Sequence, residues 1–414
     1  MSDDERTELV ALIRSFVDRE VRPRAASLEE NAEFPLELFL SLGRLGAVEL
    51  TAPQKLGGLE ADTRTYVEVL EQIANGSIGL AGTYMVHMSI INLLVAVGTD
   101  EQINRHLPKL FNGAIGAMAL TENDAGSDLA AIRGTATESD SGFVLNASKV
   151  FITSGGRADL YVVLLRHGNG TSLFIVPNGT PGLSFGAPLK KMGYNSSPTT
   201  PVMFDNVRVP AGSLLGEPGR GLATMLIALD GGRLGVGAMA VGLAQAALDV
   251  SYDYVSTRRQ FDRPVIDFQA LEFMAADMQI AVESARQMVR YAAECKDKGL
   301  EYSAEASMAK VFATDAAMRV TTDAVQLLGG YGYTRDFPVE RFMREAKMLQ
   351  IVEGTNQVQR VVISKSMRRR RNVEPISQNH SAGNNHSEFR NIESPAAGPK
   401  GLTPGHMQME QEIQ

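Results

Sequence analysis

The chain has 414 residues, 44% of them hydrophobic and 21% charged, with a formal net charge of -8. That is enough chain for a large core in two to three packed layers, and an acidic balance without aromatic residues among basic stripes argues against a nucleic-acid surface. The single cysteine, Cys295, excludes an internal disulfide and fits a reducing compartment, and six scattered histidines without ligand spacing make a metal site unexpected.

The first residues, Met1-Ser2-Asp3-Asp4-Glu5-Arg6, are acidic and lack an apolar core, so neither a secretory nor a transit signal is expected. No apolar run approaches the ~20 residues that span a bilayer, and a cytoplasmic protein with no membrane partner is the expectation. Residues 1–116 carry helix-period apolar positions (Leu9, Leu12, Ile13, Phe16 and Val17, then Leu36, Phe39 and Leu40), with breaks at Pro35, at Pro53 with Gly57-Gly58, and at Gly98.

Residues 117–217 change texture. Short β-branched and aromatic runs (Phe143–Leu145, Lys149–Thr153, Leu160–Leu165, Leu173–Val176 and Pro201–Val209) alternate with turn signals such as His167-Gly168-Asn169-Gly170 and Pro177-Asn178-Gly179-Thr180. They predict a small antiparallel β domain. Over 218–367 helical periodicity returns, with one apolar face read through Met308, Val311, Phe312, Ala316, Val320, Ala324 and Leu327, and an antiparallel bundle is expected. Residues 368–414 begin with Arg368–Arg371 and run into Ser, Asn, Gly, Pro and His, the composition of a disordered tail.

Glu353 draws attention as a chemical group. It sits between Ile351-Val352 and Gly354, just before a segment where Val358, Val361, Val362 and Met367 continue at mostly helical spacing. Thr355 or Asn356 can cap that helix, and Asn356 with Gln359 three residues on resembles a capping pair. Apolar neighbours raise a carboxyl pKa by desolvation while a helix N-terminus lowers it, so the sign of the shift stays open at this level. A glutamate moved toward neutrality suits removal of a proton from carbon; a loop carboxylate that only helps cap a helix is the other reading.

Nucleotide-binding glycine patterns are missing: no G-x-G-x-x-G follows a strand and no P-loop occurs. Gly329-Gly330-Tyr331-Gly332 reads by itself as a helix stop. Five segments nevertheless occur in a distinctive order: Ala119-Leu120-Thr121-Glu122-Asn123-Asp124-Ala125-Gly126-Ser127-Asp128, Phe151-Ile152-Thr153-Ser154-Gly155-Gly156, Arg258-Arg259-Gln260-Phe261, Gln326-Leu327-Leu328-Gly329-Gly330-Tyr331-Gly332-Tyr333, and the Glu353 run. Over about residues 5–367 this ordered set resembles the acyl-CoA dehydrogenase family of flavoproteins.

The resemblance implies an α+β multidomain fold: an N-terminal α-helical domain, a middle antiparallel β domain and a C-terminal four-helix bundle (residues 218–367). It implies FAD extended between the β domain and the bundle, with Met118, Leu120, Thr121 and Ser127 on the flavin-ring side and Phe151 and Thr153 against the isoalloxazine. Arg258, Phe261, Gln269, Gln326 and Gly330 match positions that reach the diphosphate and adenosine of a neighbouring subunit's cofactor, and Thr355 and Gln357 complete the contacts. A homotetramer is implied in turn.

The implied reaction is oxidation of an acyl-CoA thioester across its α and β carbons, Glu353 taking the α-proton while the β-hydrogen leaves as hydride to flavin N5. Asp230, Arg233 and Ser127 match positions near the thioester and pantetheine, with Val352 and Gly354 flanking the base. Without the resemblance, Asp230 and Arg233 read equally as an intrahelical ion pair. Some relatives carry the base on another helix, where this chain has Gly232. The family's electron-transfer flavoprotein is the implied acceptor. A dehydrogenase acting on a carrier-protein-bound acyl thioester and a non-catalytic flavoprotein are the alternatives. Three departures stand out: Asn123 for a usual proline, Asp262 after Phe261 where glycine is frequent, and Val352 where many relatives have tyrosine.

Overall fold

The computed structural model describes residues 1–373. Helix α1 (Asp3–Phe16) opens on a capping box in which Ser2 accepts from the Glu5 N–H and the Glu5 carboxylate accepts from the Ser2 N–H. A π-helical turn over Val17–Val21 leads into α2 (Arg22–Glu30), and α3 (Leu36–Arg44), α4 (Thr63–Gly76), α5 (Ile78–Val97) and α6 (Asp100–Phe111) complete the helical N-terminal domain. Each of the last three starts where a side chain takes up a free N–H: Asp62, Ser77 and Thr99. Ile13, Phe16 and Val17 are buried as their spacing predicts, whereas Leu12 and Leu36 face outward.

The β domain follows. Strands β1 (Gly116–Ala119), β2 (Thr135–Ser139), β3 (Gly142–Thr153), β4 (Leu160–His167), β5 (Gly170–Pro177), β6 (Leu183–Phe185), β7 (Thr199–Pro210) and β8 (Leu214–Leu215) form one eight-stranded sheet. The predicted runs Phe143–Leu145 and Lys149–Thr153 are one long strand, β3, interrupted by register shifts against β7. Pairing is mostly antiparallel, but β1 lies parallel to β4, a non-local neighbour that alternation alone does not reveal.

The C-terminal helices are α7 (Gly221–Thr257), α8 (Gln269–Asp297), α9 (Ser303–Leu328), α10 (Val339–Leu349) and α11 (Asn356–Val373), with a small hairpin, β9 (Arg259–Gln260) and β10 (Arg263–Pro264), between α7 and α8. The expected face of α9 is buried at Val320, Ala324 and Leu327 but not at Met308, Val311, Phe312 and Ala316. Ala306, Ala309, Ala313, Ala317, Val320 and Ala324 are buried, while Phe312 is exposed and Met308 only half-buried. Small residues let α9 approach the glycine- and alanine-rich α7 closely, and that close approach outranks side-chain size in choosing the inward face.

Two helices correct the expectation that no apolar run reaches membrane-spanning length. Ile78–Val97 and Gly221–Thr257 are long and apolar enough, but their most apolar windows are 72% and 83% buried inside the fold. Helices apolar on all sides belong in a core, and here the neighbouring helices supply it. Helix α11 continues through Arg368–Arg371 to Val373, past the expected start of the disordered tail at 368; the rest of that tail lies outside the described residues.

Candidate active site

Glu353 lies in the turn between α10 and α11 with φ 55°, and Gly354 follows with φ 84°. Two successive left-handed residues reverse the chain and aim the Glu353 side chain back at α7. The residue as a whole is half-buried, but its Oε2 is sealed from solvent and has no hydrogen-bond partner among the described residues. A Cβ built on Gly232 of α7 would stand 2.6 Å from that oxygen.

Burial pushes the Glu353 carboxyl up to about 6, against the opposing pull of the Arg233 and Lys310 charges. Desolvation therefore decides the sign that the sequence left open. The cap is also resolved. Thr355 Oγ1 accepts the Val358 N–H at 3.3 Å, so Thr355 caps α11. Asn356 and Gln359 do not form the expected capping pair. Their side chains turn inward to Lys310, Thr314 and Asp315, and to the Glu353 and Gly354 carbonyls, because buried partners on α9 and in the turn outcompete a solvent-facing cap.

Arg233 and Asp230 form the i,i+3 ion pair, and Ser303 Oγ donates to Asp230 Oδ1 at 3.0 Å. Arg233 is buried and its Nε has no partner among the described residues. Burial raises the Asp230 carboxyl despite Arg233 and Ser303. An ion pair with an unspent guanidinium donor both packs a helix and keeps a cation beside Glu353.

Residues that sequence reasoning missed close the other walls. Tyr66 on α4, Met85 on α5 and Tyr194 before β7 are all buried. At Gly235 an added Cβ would lie 2.9 Å from Met85 Sδ and 3.2 Å from Tyr66 Oη. At Gly82 it would lie 2.0 Å from the Tyr194 hydroxyl, so these glycines are what let the rings approach. Burial, then the nearby Glu353 charge, lifts Tyr66 well above an ordinary phenol. Tyr194 is pushed up to about 12 by burial, against the opposing influence of the Ser197 and Thr153 hydroxyls. No periodicity marks such residues; only the glycines opposite them are a sequence signal.

Thr153, at the end of β3, and Glu353 both act on Tyr194, which places them in one neighbourhood. Phe151, two residues earlier, stands 66% exposed with φ 59°, within the β3–β7 register shift between Lys149 and Ile152. Beside it the hydroxyls of Ser154 and Thr200 are buried without partners among the described residues. Met118 is half-buried in β1, Leu120 is buried, and the Thr121 carbonyl accepts the Val150 N–H at 2.9 Å.

Lys149 Nζ, fully buried, donates to Leu120 O (2.9 Å) and Glu122 Oε1 (2.8 Å) and locks this segment to β3. Burial alone would raise the Glu122 carboxyl, but the Arg133 and Gly134 N–H groups and Lys149 together hold it low. Ser127 is exposed in the following loop. Val352 packs on the core, and Gln357 is exposed on α11.

Arg258, Phe261, Gln269, Gln326 and Gly330 are all exposed and belong elsewhere. Arg258 directly follows α7 and lies 26 residues (258 minus 232) beyond Gly232 within that helix, which puts about 39 Å between them along the axis. The Gln326–Gly330 turn lies at the Arg258 end, where Tyr331 meets Tyr254 at 6.3 Å between ring centroids. Phe261 caps the β9–β10 hairpin, 86% exposed, with positive φ at both Phe261 (50°) and Asp262 (60°). One chain therefore gathers Glu353, Arg233, Asp230 and Thr153 into one region and places the diphosphate and adenosine candidates at another.

A helical domain, a β domain and a second helical domain, with one sealed and unpartnered carboxylate oxygen among the helices, make up the class, an oxidoreductase of helix–sheet–helix build. Family descriptions agree: the N-terminal, middle and C-terminal domains of acyl-CoA dehydrogenase match residues 3–114, 117–207 and 219–368. An acyl-CoA dehydrogenase of Bacillus subtilis (strain 168) is 41% identical over 363 residues, 86% of this chain and 95% of that one. Among solved structures, butyryl-CoA dehydrogenase from Megasphaera elsdenii superposes with TM-score 0.86 at 38% identity, covering 89% of this chain and 98% of the other. The prolyl acyl carrier protein oxidase AnaB superposes with TM-score 0.85 at 27% identity, covering 89% and 100%. The chain belongs to the acyl-CoA dehydrogenase family of flavoprotein oxidoreductases.

Proposed function

We propose that this protein is an FAD-dependent dehydrogenase that converts an acyl-CoA thioester to its trans-2-enoyl thioester, with Glu353 as the base for the α-proton. The observation that carries this reading is the Glu353 carboxylate itself: one oxygen sealed and unpartnered, its pKa lifted to about 6. A base for a weak carbon acid needs a carboxylate poised near neutrality and free of competing donors. Gly232, the position of the base in some relatives, has no side chain to compete. The α-carbanion character that develops on the thioester needs donors, which the Glu353 main-chain N–H supplies in this reading, while Arg233 provides a positive field.

The residues present fit an extended flavin nucleotide. Phe151 offers a projecting ring, the orphaned hydroxyls of Ser154 and Thr200 and the Thr153 side chain flank it, and Met118, Leu120, Thr121 and Ser127 line the same end of the sheet. FAD, when bound, supplies the hydride acceptor. Thr355 and Gln357 extend that surface along α11. Arg258, Phe261, Gln269, Gln326 and Gly330 would hold the diphosphate and adenosine of a second chain's cofactor, because the length of α7 keeps them from their own site. Phe273, Ile280, Tyr291 and Phe312, exposed on α8 and α9, supply apolar surface for such a homo-oligomer, a tetramer in this reading. Electron-transfer flavoprotein is the proposed acceptor. The likeness to AnaB keeps a carrier-protein-bound thioester as the second reading.

Anaerobic mixing of the purified yellow protein with butyryl-, octanoyl- and palmitoyl-CoA should bleach the flavin with at least one of them. Glu353→Gln should retain FAD yet lose bleaching by on the order of 10²–10⁴ or more. A Glu353→Gln protein that bleaches at the wild-type rate would remove the base assignment, and bleaching only by acyl-carrier-protein thioesters would favour the second reading. Light scattering that shows an FAD-saturated, fully active monomer would remove the shared-site assignment.

A further inference from the structure

The Glu353–Gly354 turn holds two adjacent left-handed residues, one of them with a side chain and so strained there. Such a turn persists only if its surroundings over-determine it. Gln359 Nε2 donates to both turn carbonyls, Glu353 O at 3.1 Å and Gly354 O at 3.0 Å, and its own Oε1 accepts from Ser307 Oγ at 3.0 Å. Residue 354 lacks a Cβ for the same reason: one built there would sit 2.6 Å from Gln359 Nε2. Lys310 Nζ donates to Gly354 O at 3.1 Å and to Asn356 Oδ1 at 2.8 Å.

Lys310 is fully buried and both of these acceptors are neutral. A buried ammonium without a contacting carboxylate is expensive, and a methionine of similar length would fill the same space without the penalty. The opposite charges acting on it are Glu353 and Asp315, with Arg233 opposing. The groups facing Glu353 are Arg233 from α7, Lys310 from α9, Tyr66 from α4 and Tyr194 from the β domain.

We propose that Lys310 is a positioning residue for the base, clamping the left-handed turn jointly with Gln359 and holding the Glu353 carboxylate ionised and aimed at the site beside Gly232. This rests on the reading of Glu353 as the base. Loss of the clamp lets the turn relax and moves the carboxylate off its line of attack, and loss of the charge favours its neutral form. Both slow proton removal without touching the thioester.

The test uses the FAD-loaded full chain and whichever of butyryl-, octanoyl- and palmitoyl-CoA bleaches the wild type fastest. Lys310→Met should reduce the bleaching rate per bound flavin at saturating thioester by roughly 10–100-fold. Half-saturation should change by less than about 3-fold, and the midpoint of the pH–rate profile should move upward because a nearby cation has gone. Lys310→Met with wild-type rate per flavin and an unmoved midpoint overturns the inference, whatever its flavin content or melting temperature.

If Lys310→Met does not fold, Ser307→Ala, which removes the hydrogen bond that anchors the Gln359 amide and leaves its two donations to the turn unsupported, should slow bleaching several-fold, and an unchanged rate overturns the clamp. Glu353→Gln runs alongside. If it bleaches normally the base reading fails; if it is inert while the clamp variants are normal, only the present inference fails.

Discussion

The carboxylate of Glu353 occupies the space that a side chain on Gly232 would need: a Cβ there would begin 2.6 Å from Glu353 Oε2. A turn after α10 and the middle of α7 thus converge on one small volume, and only one of the two positions can carry a side chain into it.

Gly232→Ala should therefore displace the carboxylate. The flexible end of a glutamate yields before helix backbone does, so the fold should survive with a loss of about 1–3 kcal/mol from overpacking. Flavin content should be unchanged and thioester-driven bleaching at least ~10-fold slower. Stopped-flow absorbance checks this, and a wild-type rate would show that the contact has no bearing on the base.

With its pKa at about 6, Glu353 is ionised, and competent as a base, above that pH. The bleaching rate at low thioester should fall about tenfold per pH unit below pH 6 and level off above it. A rate independent of pH between 5 and 7 would contradict the assignment.

The same shift carries a stability signature. The folded protein holds a proton on Glu353 between about pH 4.5 and 6 where the unfolded chain does not, so stability falls as pH rises through that window. Above pH 6 the deficit is complete, about 2 kcal/mol at most. Glu353→Gln, which cannot ionise, should unfold at higher urea than wild type at pH 7.5, and the gain should vanish near pH 4.5. An equal gain at both pH values would trace to packing instead.

Asp262 takes φ 60° at the second position of a two-residue hairpin turn, beside Phe261 at 50°. Both signs are those of a type I′ turn, which favours glycine there. Asp262→Gly should stabilise the protein by roughly 0.5–1 kcal/mol, the relief of left-handed strain less the added entropy of the unfolded chain. Urea unfolding measures it, and a loss of stability would mean that the Asp262 side chain holds the hairpin.

Local chemistry alone was enough to find Glu353, most of the β runs and the helical character of both ends, because periodicity, turn residues and capping act over a few residues. The order of the motifs carried the family. Contacts between distant segments were beyond that reach. The sign of the Glu353 shift needed the enclosing residues Tyr66, Met85 and Tyr194, drawn from two helices and a loop. The choice of Thr355 over Asn356 as cap depended on buried partners on α9 that Asn356 could reach. The inward face of α9 was set by alanines whose small size matters only when α7 lies against them. Lys310 reads in sequence as one charge in a helix; it becomes a buried ammonium over the Glu353–Gly354 turn because tertiary packing removes water from it and leaves main-chain and amide oxygens as its partners.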